Sequence, residues 1–200
     1  QHPVPQVVIY NQAGQLIDTI DNFGYNAPTA PGLASITPTN DGGFALALEG
    51  ADYLDASFSI SRIDANGDPL WMRKYPDAPN GFTTSSPQWI ISTPDGGIVM
   101  TGESSNPFAG HTNGYLLKVD AQGDSLWSYT ASTNIAGRHT YFSEVINTSD
   151  GGLLAMCTMY DPDTASQALH PMAIKLDANG NEQWKKTYNL KPFCGFPYRV

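Results

Sequence analysis

Three short segments carry oxygen ligands at close spacing. They are Asp64-Ala-Asn66-Gly-Asp68, Asp120 with Asp124, and Asp177 with Asn179. Oxygens two residues apart are how a calcium loop begins. Calcium, however, takes six or more oxygens, normally with a bidentate acid further along. The EF-hand order is not met here, because Gly67 falls at the fourth position and Tyr75 stands at the twelfth. Asp64, Asn66 and Asp68 are kept as metal candidates, beside the plainer reading of a turn whose Asp bonds its own backbone. His2, His111, His139 and His170 are expected in a terminus or in loops, and none has a metal-type partner at i+2 or i+4. Glu103, Glu144 and Glu182 are single carboxylates; a glycosidase pair is defined by a separation that spacing along the chain does not give. No nucleophile elbow, zincin helix or phosphate-cradling loop is written. No catalytic residue, resident metal or cofactor is assigned.

The bulk composition narrows the partners. The net charge is −9 with ten Lys and Arg spread along the chain, so there is no basic stripe for nucleic acid or anionic lipid. No apolar run approaches the ~18 residues needed to span a bilayer. Charged residues make up 14%, and Gly and Pro number 19 and 15, so the chain turns often. A Gln at position 1, with a neutral Asn/Thr/Ser/Gly-rich surface, is read as a mature, exported chain. Cys157 and Cys194 are too few for a disulfide framework or a zinc site; one buried and one loop thiol is expected, with cross-strand pairing as the alternative.

What positions these residues is a repeat. "TNDGG" at 39–43, "TPDGG" at 93–97 and "TSDGG" at 148–152 are one word written three times. Asp41, Asp95 and Asp150 stand 54 and 55 residues apart, while Trp71, Trp127 and Trp184 stand 56 and 57 apart. Two words at a matched period define one unit. Each unit reads as four strands, for example "LASITPT", "FALAL", "FSISRID" and "LWMRKY". Asp-Gly between apolar runs marks a hairpin. The first Gly supplies a positive φ, and the second suits a bulge or a close approach to the neighbouring strand. "DANGD", "DAQGD" and "DANGN" make the same case for the hairpin joining strands three and four.

A four-stranded unit cannot cover both of its faces alone, but units stacked around an axis cover one another. The expected fold is therefore all-β: a β-propeller of four-stranded antiparallel blades. The repeated Trp of the fourth strand is expected to fill the space between blades. A β-sandwich is the alternative. The expected blades are 33–76, 86–131 and 142–189, preceded by a half blade at 6–21 and followed by the start of another at 196–200. In the half blade Gly14 stands for Gly67, and Asp18 stands where Trp is expected. The chain thus reads as three full blades with partial blades at both ends, within a larger ring.

The pattern x-T-x-D-G-G-Φ-Φ-Φ-x-G, followed by K/R-Φ-D-x-x-G-x-x-x-W, resembles a repeat of secreted Bacteroidetes proteins. Arg62-Ile63-Asp64, Lys118-Val119-Asp120 and Lys175-Leu176-Asp177 carry it. The resemblance covers roughly residues 6–200. It implies a propeller, export by a type IX-like route and a cell-surface or extracellular role. It implies no particular chemistry.

The segments 22–32, 76–86, 104–112, 131–141 and 160–171 differ in every repeat. Variable connections on a rigid scaffold are where binding residues concentrate. His139, Tyr141 and Phe108 are the binding candidates from these segments. The expectation is a non-enzymatic scaffold or binding module for protein or glycan, with secretion or outer-membrane proteins as further partners. An extracellular polysaccharide hydrolase or lyase is the alternative.

Overall fold

The computed structural model describes residues 6–10, 12–20, 32–49, 58–75, 84–106, 111–132, 137–161 and 168–188. Within them the chain is a β-propeller of antiparallel meanders. A half blade pairs β1 (Val7–Tyr10) with β2 (Leu16–Ile20). Blade one runs β3 (Gly32–Pro38), β4 (Phe44–Glu49), β5 (Phe58–Ile63) and β6 (Pro69–Tyr75). Blade two runs β7 (Thr84–Ser92), β8 (Ile98–Asn106), β9 (His111–Val119) and β10 (Ser125–Ala131). Blade three runs β11 (His139–Asn147), β12 (Leu153–Asp161), β13 (Ala168–Leu176) and β14 (Glu182–Thr187). No helix among the described residues is long and apolar enough to cross a membrane. The first strands β3, β7 and β11 meet across the blades, while the fourth strands lie outside.

The second strands read as unbroken apolar runs because both faces of a blade are covered. In blade one, Leu46 and Leu48 pack toward the half blade with Ile20, Val7 and Ile9. Ala45 and Ala47 turn the other way, against Ile98, Met100 and Leu117 of blade two. Val99 and Leu116 of blade two face blade three, where Phe142, Val145 and Ile174 lie. Two glycines of blade two make room for aromatic side chains. A Cβ on Gly102 would lie 2.4 Å from the Phe58 ring, and one on Gly114 would lie 2.7 Å from the Phe142 ring.

The repeated turns have separable reasons. Gly42, Gly96 and Gly151 hold φ of 87°, 85° and 79°. The glycine after each is there for space: a Cβ on Gly43 would lie 2.3 Å from the Ile63 carbonyl oxygen, and one on Gly152 2.3 Å from that of Leu176. The Asp before them is an anchor. Asp41 meets Arg62 at 2.7 Å, Asp95 meets Lys118 at 2.6 Å, and Asp150 meets Lys175 at 2.9 Å. The K/R-Φ-D word and the DGG word are thus the two halves of one ion pair in every blade. All three cations are buried.

Burial alone would raise the Asp95 carboxyl, but hydrogen bonds from Lys118, Thr93 and the Gly97 N–H outweigh it and hold it at about 2. A folded value below the unfolded ~3.9 means stability that is present above the unfolded value and lost as pH falls toward the folded one. Asp95→Asn is expected to remove this dependence. Its unfolding midpoint should change less than that of the wild type between about pH 4 and pH 2, a window set by that principle. An unchanged acid limb in urea titrations would refute the anchor.

One expectation about the interblade Trp needs correction. Trp184 is 45% exposed, on a strand whose residues are all exposed. And the half blade fills its seam with Ile20 rather than from the Asp18 position: a Cβ on Gly67 would lie 2.6 Å from Ile20 Cδ1. A side chain two residues further along the same strand replaces the missing indole.

Candidate functional site

Strand direction sorts the connections. Every DGG and every D-x-x-G hairpin lies at one end of the blades. The described ends of the second, third and first strands that bear residues of the variable segments, such as Asn106, His111, His139 and Asp161, lie at the other end, opposite the uniform turns.

Strands reach further toward that end than the apolar runs suggest. His139 and Tyr141 lie on β11, His111 on β9 and His170 on β13, so the expectation of loop histidines is overturned for these three. The reason is that backbone pairing continues into polar sequence: His139 pairs with Tyr160, and Met159 with His170. Phe108 lies outside the described residues.

At this end the side chains form a cluster from all three blades. The His139 ring stacks on Tyr141 with centroids 6.1 Å apart and leans on Tyr160 at 5.8 Å. His139 Nδ1 accepts the Thr112 N–H at 3.0 Å, which fixes the ring across the blade two–three seam and places the proton on the other nitrogen when the ring is neutral. Beside it Arg138 grips Asp161 through Nε at 3.1 Å and Nη2 at 2.8 Å. Glu103 of β8 is raised above the usual carboxylate range, first by burial and then by the charge of Glu49 from blade one. Ser86 donates to Glu49 at 3.2 Å. The Tyr141 hydroxyl is raised by burial and by the Glu103 charge, against the bond to Thr112. Ser104 Oγ, next to Glu103 on β8, and Oδ1 of its pairing partner Asn113 on β9 are buried without a hydrogen-bond partner among the described residues.

This arrangement offers aromatic faces, a carboxyl that holds its proton more firmly than usual, a second carboxylate, and a ring nitrogen. It suits a ligand rich in hydroxyls. Sequence reading found His139 and Tyr141 but missed Glu49, Tyr160 and the Arg138–Asp161 pair. Glu103 was legible only as a single acid, since its neighbours come from other blades.

The remaining candidates lie elsewhere. Asp64 Oδ1 accepts the N–H groups of Asn66 and Asp68, both at 2.8 Å. Asp120 and Asp177 do the same in their own hairpins. These acids sit at the uniform end and serve the turn. Among the described residues no three His, Cys, Asp or Glu are grouped to hold a metal. Cys157 is buried and its thiol is pushed up to about 12, which leaves it inert; Cys194 lies outside the described residues. A hollow of ≈ 260 Å³, lined by Leu33, Ala34, Ser35, Ile36 and Trp89, opens between β3 and β7.

No family model matches the chain, and no curated protein matches it in sequence. Solved structures do share its fold. A protein of unknown function from Bacteroides caccae aligns with TM-score 0.51 and 15% identity, over 90% of this chain and 53% of its own. The Hadza microbial sialidase Hz136 aligns with TM-score 0.53 and 14% identity, over 88% and 44%. A eukaryotic initiation factor aligns with TM-score 0.51 and 12% identity, over 88% and 36%. The chain thus spans about half, or less, of each of these structures.

Proposed function

We propose that this propeller is a binding module whose variable end holds a glycan. The observation that carries the reading is the cluster of His139, Tyr141, Tyr160 and Glu103, built from separate blades at the end where the repeats differ. Sugar rings stack on aromatic faces through their C–H surface, and their hydroxyls pair with carboxylates and imidazole. A protein ligand fits the same face less well, since among the described residues exposed apolar anchors are few there. We place the chain outside the cell or on its surface, with secretion or outer-membrane proteins as further partners. Its acidic, sparsely charged composition agrees with that.

Calorimetric titration with soluble polysaccharides tests the reading. Tyr141→Ala and Glu103→Gln are each expected to weaken binding at least about tenfold, which is 1.4 kcal/mol, with unchanged melting temperature. Equal binding by wild type and both variants, or no binding to any polysaccharide, overturns it.

One observation favours a second reading, that of a polysaccharide hydrolase. A carboxyl raised beside a second carboxylate is what a glycosidic general acid requires. Release of reducing ends by the wild type, abolished in Glu103→Gln, would replace binding by hydrolysis.

A further inference from the structure

Charge is divided unevenly between the two ends of the blades. Arg62, Lys118 and Lys175 are locked in the ion pairs of the uniform turns. Arg73 pairs with Asp124 of the next D-x-x-G hairpin, and Lys74, Lys185 and Lys186 stand on the outer strands β6 and β14. Toward the variable end the cation beside the rings is Arg138, and Asp161 already grips it. The stretches of sequence that join the strand ends there are 50–57, 76–83, 107–110, 133–136 and 162–167. They contain Asp52, Asp55, Asp77 and Asp163 but no Lys or Arg.

Two carboxylates from separate blades meet at this end. Glu49 closes β4, and Glu103 lies near the end of β8. Ser86 is the cross-strand partner of Glu103, and its hydroxyl donates to Glu49 Oε1 at 3.2 Å, so the two acids flank one serine across the seam of blades one and two. Ser86 brings a dipole but no charge, and the repulsion between the acids shows in the raised Glu103 carboxyl, behind the effect of burial. The Glu103 charge also reaches the Tyr141 hydroxyl, which puts the acids beside the aromatic rings. Ionised carboxylates only accept hydrogen bonds. What suits the pair is a ligand group that donates several and carries positive charge.

We infer that the glycan held here bears free amino groups: a hexosamine polymer whose ammonium nitrogen lies between Glu49 and Glu103 while its sugar ring lies on Tyr141. This rests on the glycan reading above and names the class of sugar. An ammonium offers three donors, and charge-assisted bonds to carboxylates are roughly twice as strong as neutral ones. N-acetylation removes the charge and leaves a single N–H. A uronic or sulfated sugar brings a like charge to the acids.

Glucosamine oligomers and fully N-acetylated oligomers of the same length test the inference, titrated calorimetrically in mildly acidic buffer that keeps the amine protonated. The wild type is expected to bind the amino form at least about tenfold tighter, the range for hydrogen bonds to charged groups. Salt should shrink that preference, since Glu49 is exposed. Glu49→Gln, an exposed and nearly isosteric change, should bring the two affinities together, and so should Glu103→Gln. Tyr141→Ala should weaken both oligomers alike and keep their ratio. Equal binding of the two forms by the wild type overturns the inference and leaves the glycan reading standing. A preference that persists in both Gln variants also overturns it, as does binding of a neutral polysaccharide with neither oligomer bound. Binding to no polysaccharide at all removes the glycan reading as well.

Discussion

Trp127→Ala is expected to lower the stability of the chain by about 3 kcal/mol, whereas Trp184→Ala is expected to change it by less than about 0.5 kcal/mol. The two residues hold the same place in consecutive repeats. Trp127 packs against the core between blades two and three, lies on Gly180 and bonds the Ala178 carbonyl. Its removal opens a gap along a seam and leaves that carbonyl without its donor. The value sits at the low end for buried aromatic residues because the indole is only partly covered. Trp184 is exposed, and truncating it gives up little. Urea denaturation midpoints for the two variants decide the matter. Equal losses would mean that the seam contact contributes nothing.

Adjacent glycines of one turn respond in opposite measure to their apparent roles. Gly42 has the unusual backbone, with φ 87°, but a Cβ there meets only Ala65 at 3.9 Å. Gly42→Ala is expected to cost about 1 kcal/mol, the ordinary cost of a side chain at positive φ. Gly43 has the crowded place: a Cβ would lie 2.3 Å from the Ile63 carbonyl oxygen and 3.1 Å from Asp64 Cα. Both obstacles are backbone, so relief means parting strands β4 and β5. Gly43→Ala is expected to cost about 3 kcal/mol, the upper range for overpacking. Thermal unfolding of the two variants ranks them. A larger loss for Gly42→Ala would show that conformation rather than space selects the second glycine.

Much of this architecture is local, and so was readable in the residues themselves. Strand number, hairpin positions and the blade period follow from short apolar runs and Asp-Gly turns, whose conformations depend on neighbouring residues alone. The polar ends of the strands were not readable. His139, Tyr141 and His170 carry no apolar alternation, and only pairing with a partner strand makes them β.

The site shows the same division. Tyr141 could be named from its variable segment, but its neighbour Glu103 is more than 30 residues away in sequence and on a different blade. The repeated Asp and Lys/Arg were visible as words; that they form one ion pair required β4 and β5 to lie side by side. From its residues alone this protein was bound to be a run of small antiparallel sheets with shared corners, because turn chemistry and apolar alternation act within a few residues. Which indole is wedged and which stands in water, and which acids and rings converge at one end, are properties of neighbours in space. Only the stacking of the blades decided them.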